Sequence, residues 1–216
     1  MTTSTAPFRV GQTLIGPLFN EPMRVETVAP TGSASWALGL VGAQSERFRR
    51  DPSFIADPRV KYMPPSFRSY WSLMKLSPET VAGLKRRYKR ATGLVRAMHQ
   101  AGVPFLAGTD TPGVPYIFPG FSLHDELALL VAEGGFTPLE ALQAATRGPA
   151  RFLGREKDLG TVEPGKLADL VLLEADPLAD IHNTTKIAAV MVDGKLLPRN
   201  ELDKMLAEVE AANKEK

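Results

Sequence analysis

A chain of 216 residues, 44% hydrophobic and 23% charged, has the composition of one globular domain or one domain with an appendage, which excludes global disorder. Its 26 basic and 24 acidic residues leave a net charge of +2, a weak pointer to nucleic acid, and the lack of any cysteine excludes disulfides, thiol catalysis and Cys-ligated zinc or iron–sulfur centres. No apolar run reaches the ~18 residues that span a bilayer, and the first residues lack the order of a signal peptide, so the expectation is a cytoplasmic protein with no membrane partner.

Residues 1–47 read as a small all-β segment, too small to be stable without a neighbour. Within it, 23–28 alternates with period two, and 35–41 is its expected hairpin partner. Residues 48–76 hold Asp57-Pro58 and Pro64-Pro65 among Tyr62, Phe67, Tyr70 and Trp71, which reads as a long ordered loop. Ser77-Pro78-Glu79 opens a helix running to about Gln100. Its cations Lys85, Arg86, Arg87, Lys89 and Arg90 read as a solvated face rather than a phosphate-tracking patch, so nucleic acid is not an expected partner. Residues 103–108 form an apolar run suited to a strand buried on both faces. Helices follow at 122–133 and 137–146, the second opened by Thr137-Pro138-Leu139-Glu140 in a capping-box pattern, with a short turn at 149–153. Strands are expected at 160–162, 168–173, 187–192 and 195–197, the last two joined by an Asp193-Gly194 hairpin turn. A charged helix fills 198–216.

The chemistry-bearing residues are few. Asp110 follows the 103–108 strand directly, where α/β barrels place catalytic groups. The local sequence Asp110-Thr111-Pro112-Gly113 reads equally as an aspartate turn cap. The chain has three histidines and no His-x-His pair. His99, at a helix end, suits packing or the helix dipole; His182, in an Asp-Ile-His-Asn turn, suits the surface. His124 lies in the loop-to-helix segment after Asp110, where it either touches substrate or orients the loop as a helix-start residue. Ser122 with Asp125 or Glu126 reads as helix capping.

An ordered series of segments runs through the chain: Ala101-Gly102-Val103-Pro104, Leu106-Ala107-Gly108-Thr109-Asp110, Ser122-Leu123-His124-Asp125-Glu126-Leu127 and Gly135-Phe136-Thr137-Pro138-Leu139-Glu140-Ala141-Leu142. It continues with Gly160-Thr161-Val162-Glu163-Pro164-Gly165-Lys166-Leu167-Ala168-Asp169-Leu170-Val171, Asp176-Pro177-Leu178 and Val192-Asp193-Gly194-Lys195. Together these resemble the C-terminal part of the metal-dependent amidohydrolase superfamily, in particular its imidazolonepropionase/prolidase-like members. With Asp57-Pro58-Arg59-Val60-Lys61-Tyr62-Met63-Pro64-Pro65, similar to the family's loop after its seventh barrel strand, the likeness covers about residues 48–197. The segment 11–25 faintly resembles the β segment opening some bacterial Swi/Snf-type helicases.

The resemblance implies an α/β fold: the C-terminal fragment of a TIM-like (β/α)8 barrel, with 103–108 as its last strand, plus part of a composite β-sandwich. The expected units are a small β segment of foreign origin (1–47), the end of the barrel (48–158), the sandwich part (159–197) and a terminal helix (198–216). It further implies that Asp110 is both metal ligand and proton carrier for a metal-bound water, and that His124 is the candidate substrate contact. The implied cofactor is a divalent metal, zinc in the full-length family, and the implied partner is a small amide or dipeptide-like substrate whose C–N bond is hydrolysed. The resemblance further implies that the family's remaining ligands sit on barrel strands one to seven, absent from this chain. The expectation is therefore a truncated chain that lacks most metal ligands and is inactive alone, with metal binding by Asp110 left open. The alternatives are a split enzyme completed by another chain or an oligomer, and a non-catalytic binding or structural protein.

Overall fold

Prolines and short polar caps punctuate this chain into its elements, which a computed structural model describes for residues 13–16, 19–24, 36–37, 57–73, 77–109, 111 and 117–214. β1 (Thr13–Gly16) pairs antiparallel with β2 (Phe19–Arg24), Thr13 lying opposite Arg24. Of the expected pairing of 23–28 with 35–41, residues 25–28, 35 and 38–41 lie outside the described residues, and Met23 and Arg24 pair with β1. β3 (Trp36–Ala37) instead runs parallel to β4 (Phe105–Leu106). Period-two alternation marks a strand but does not choose its neighbour, which is decided by long-range packing.

β4 is shorter than the expected 103–108 because its flanking donors are spent elsewhere. The Val103 N–H donates to Met98 O (3.0 Å) and the Ala107 N–H to Ala144 O (2.9 Å), while Pro104 has no N–H to give.

Of the stretch 48–76 expected as a loop, the described residues 57–73 are largely helical. Pro58–Tyr62 is a 3-10 turn and Pro65–Leu73 is α1. Each proline stands at a first helical position, where its missing N–H costs nothing. Asp57 caps the 3-10 turn by accepting from the Arg59 N–H at 2.8 Å. The aromatics find their partners here: Trp71 and Phe118 meet edge to face at 5.9 Å, and Tyr62 stacks on Phe121 at 5.4 Å. Met63, Trp71 and Phe118 are the buried centre of this cluster.

α2 (Pro78–Gln100) starts at its Ser77 cap and buries Val81 and Val95. Its five clustered cations are exposed. It packs with β4, α3 (Phe121–Ala132) and α4 (Pro138–Ala145) around Val95, Phe105, Leu127, Leu130, Phe136, Ala141 and Ala144. Phe136 is central, edge-on to Phe105 at 5.2 Å and stacked on His99 at 3.9 Å. The capping box at Thr137 and Glu140 forms as read. α5 (Arg147–Phe152) takes the place of the expected 149–153 turn.

Beyond it, 160–162 is not a strand. Gly160 sits at φ 92°, and a Cβ there would lie 2.7 Å from Ala150 Cβ, so the chain is pressed against α5 in a conformation no ladder uses. The terminal sheet has β6 (Ile187–Val192) between β5 (Leu170–Leu173) and β7 (Lys195–Pro198), all antiparallel. Asp193 at φ 50° and Gly194 at φ 73° form the hairpin turn that the sequence announces.

α6 (Arg199–Ala212) returns to the first 3-10 turn. Glu210 there pairs with Lys61 at 2.8 Å and Lys214 at 2.7 Å, and Asn213 donates to Tyr62 O at 2.9 Å. Among the described residues, no helix is long and apolar enough to cross a membrane.

Two outcomes follow. Gly160→Ala should destabilise the fold by about 2–4 kcal/mol in urea unfolding, combining left-handed strain with overpacking. Hydrogen bonds from Lys214 and Lys61 pull the Glu210 carboxyl down to about 2. Its contribution to docking α6 is therefore full above the ordinary 4.5 and lost as pH falls through about 2. Protection factors of the α6 amides, with exchange corrected for its intrinsic pH dependence, should fall as pH drops through that window and hold steady above it, and Glu210→Gln should abolish that change.

Candidate functional site

The exit of β4 leads through Ala107, Gly108 and Thr109 toward Asp110, which lies outside the described residues. Ile117 and Phe118, the next described residues before α3, are both fully buried. Ser122 then fixes the start of α3: its hydroxyl accepts from the Phe118 N–H at 2.9 Å, and its own N–H donates back to Phe118 O at 2.9 Å. The expected capping by Ser122 with Asp125 or Glu126 does not occur. Gly120 is the cap residue, at φ 77°, and gives no side-chain bond.

This start brings His124 and Asp125 beside two distant segments. Asp125 accepts from Arg59 Nη1 at 2.6 Å. Arg59 also forks onto Asp57, with Nη2 at 2.8 Å and Nε at 3.0 Å, and its guanidinium carbon lies 4.6 Å from the Phe118 ring centroid. Burial alone would raise the Asp57 carboxyl, yet the hydrogen bonds and charge of Arg59 hold it below its ordinary value. Burial likewise opposes the Arg59 charge, and the two carboxylates more than offset that cost.

His124 reaches the other way. Its Nδ1 lies 3.0 Å from Thr184 Oγ1, on the 3-10 turn Ile181–Thr185 that precedes β6. Burial pushes the His124 imidazole below its usual range, the nearby Asp125 charge only partly opposing it.

The other histidines are placed elsewhere. His99 stacks on Phe136 and lies 3.4 Å from Glu140, and His182 pairs with Asp180 at 2.8 Å on the surface. Among the described residues, no group of three or more histidines and carboxylates gathers as a metal site.

Local reading missed Arg59 and Thr184. Arg59 was visible as the cation of Asp57-Pro58-Arg59, but its distant partner Asp125 was not. Thr184 carries no local signal at all. Arg59→Met would leave Asp57, whose side chain is 10% exposed, without its cation, while Asp125 at 35% keeps some solvent. A buried unpaired carboxylate costs about 3–5 kcal/mol. Partial exposure lowers the expected loss to about 2–3 kcal/mol in denaturant unfolding at pH 7. Arg59→Lys should recover part of it, since a point charge cannot fork.

Known proteins are similar to this chain in sequence and fold. The model of the amidohydrolase family matches residues 80–197, more than half of the chain. Imidazolonepropionase of Shouchella clausii (strain KSM-K16) is 38% identical over 106 residues, 47% of this chain and 23% of that protein. Among solved structures, bottromycin amidohydrolase superposes with a TM-score of 0.66 at 26% identity, over 83% of this chain and 40% of its own. A Xaa-Pro dipeptidase with methionine bound in its active site superposes with a TM-score of 0.50 at 26% identity, over 71% of this chain and 33% of its own. The chain thus spans less than half the length of each of these relatives. With the family model covering strand, loop and helices alike, the chain belongs to the amidohydrolase family.

Proposed function

We propose that this chain is part of a metal-dependent hydrolase of carbon–nitrogen bonds in small amide or dipeptide-like molecules, and that it does not carry out the reaction alone. The observation that carries the reading is the family match over 80–197, which contains the whole path from β4 through Asp110 to His124. The names of the relatives, an imidazolonepropionase and a Xaa-Pro dipeptidase, support the substrate class.

In this reading, residues 48–158 are the end of a (β/α)8 barrel with β4 as its last strand, and the parallel pairing of β3 with β4 supports a barrel-type neighbour. Residues 159–197 are part of a sandwich. Asp110 is the metal ligand and proton acceptor, and His124 contacts substrate.

The described residues do not by themselves fit a metal. They gather no cluster of three donors, and His99 and His182 are engaged far from His124. A zinc centre needs about three protein ligands, so in this reading the chain is inactive alone, and the alternative is a split enzyme whose further ligands another chain supplies. Exposed apolar side chains on the terminal sheet support such a partner: Val171, Leu172 and Leu196 are 57%, 62% and 54% exposed.

The test is zinc loading of the purified chain, with metal quantified and dipeptide and cyclic-amide hydrolysis assayed. The expected result is well under one zinc per chain and no turnover. Stoichiometric zinc with turnover abolished by Asp110→Asn would overturn the claim of inactivity alone. Zinc binding indifferent to Asp110→Asn would overturn the role of Asp110. Salt-sensitive DNA binding by the metal-free chain would favour a non-catalytic binding protein instead.

A further inference from the structure

A threonine hydroxyl has one proton to donate, and the surroundings of Thr184 determine where it goes. Thr184 Oγ1 lies 2.9 Å from the Ile181 carbonyl oxygen and 3.0 Å from His124 Nδ1. A carbonyl oxygen only accepts. At 2.9 Å the two oxygens would repel unless the hydroxyl proton lay between them, so Thr184 donates to Ile181 O. The hydroxyl then has only lone pairs for the imidazole, and the His124 contact is a hydrogen bond only if Nδ1 carries a proton. Thr184 is 5% exposed, which leaves little room for water to rearrange this chain of bonds.

We propose that Thr184 is a positioning residue that holds His124 as the Nδ1–H tautomer, so that Nε2 is the nitrogen left to accept a proton or hydrogen bond. The assignment of His124 as a substrate contact rests on the functional reading above; the tautomer does not. Among the described residues, Nε2 has no hydrogen-bond partner. The Nδ1 proton is retained whether the ring is neutral or charged, so titration occurs at Nε2 alone. Burial favours the neutral ring, and Asp125 is the charged group that opposes it.

The consequence is a choice of ligand chemistry. A neutral His124 held this way accepts from a substrate N–H, ammonium or hydroxyl group, and it cannot donate from Nε2 to a carbonyl or carboxylate. The tautomer that would donate there is the one favoured by free histidine, so this site opposes the solution preference. The sequence-distant Thr184, from the 3-10 turn between β5 and β6, thereby shapes what the helical part recognises.

Ring 15N–1H long-range correlation spectra of the full chain at pH 8 decide the matter, with His124→Asn assigning one of the three histidines. The expected wild-type pattern for His124 is a protonated Nδ1 and an unprotonated Nε2. Thr184→Val should move the population toward Nε2–H, and Thr184→Ser should restore the wild-type pattern. An Nε2–H pattern in the wild type overturns the proposal, as does an unchanged Nδ1–H pattern in Thr184→Val. Should Thr184→Val fail to fold, the wild-type and Thr184→Ser spectra still decide it. Neither metal nor substrate is needed, so failure of the hydrolase reading and failure of this inference are separately visible.

Discussion

The guanidinium of Arg59 is shared by two carboxylates from different parts of the chain and lies against an aromatic ring, and the geometry around His124 depends on that sharing. Asp57 holds the guanidinium in its plane from one side, and Asp125 takes the remaining fork from α3. Phe118 closes the face below it. Together with the Tyr62–Phe121 stack, Arg59 ties the first 3-10 turn to α3 beside the cluster of Met63, Trp71 and Phe118. A lysine could balance the charge but not the fork. The burial cost of this cluster is met by its own members, which makes it a device for orientation more than for stability.

Two other layers build on that orientation. The helical core around Phe136 sets the angle of α3, because Leu127 and Leu130 face inward into it. At about 100° per residue, Asp125 falls on the side away from these leucines and His124 on the flank beside Leu127, so that one reaches Arg59 and the other Thr184. Neighbouring side chains on a helix diverge by about 100°. A single turn of α3 can thus tie the first 3-10 turn to the 3-10 turn between β5 and β6. α6 adds a third tie, since Glu210 and Asn213 grip Lys61 and Tyr62 on the same 3-10 turn.

What the sequence makes legible follows the range of the forces involved. Ser77 before Pro78, the Thr137–Glu140 box and Asp193-Gly194 are local agreements between side chain and backbone, and each forms where it is read. The order of motifs identifies the family because it samples many such positions at once. Partners distant in sequence are not legible. Residues 35–41 read as a hairpin partner, while Trp36–Ala37 runs parallel to Phe105–Leu106. Pro58 and Pro65 read as loop residues, although in each case the proline starts a helical turn. Gly160 reads as part of a strand until its close approach to Ala150 is known. The site behaves alike: His124 stands out by its chemistry, whereas Thr184 matters only through a contact 60 residues away.

The same contrast bears on how a family site is inherited. A ligating aspartate at a strand end is a property of one segment, so a chain can carry it regardless of what surrounds it. A histidine fixed in one tautomer is a property of two segments held in register, here α3 and the 3-10 turn Ile181–Thr185. A chain without the family's other metal ligands would lose the reason for the first without any disturbance of the second. The His124–Thr184–Ile181 chain of bonds would then persist as a structural join, its donor order dictated by the Ile181 carbonyl alone. Selection acting on recognition and selection acting on folding would preserve the same three residues, and only the chemistry presented at Nε2 distinguishes them.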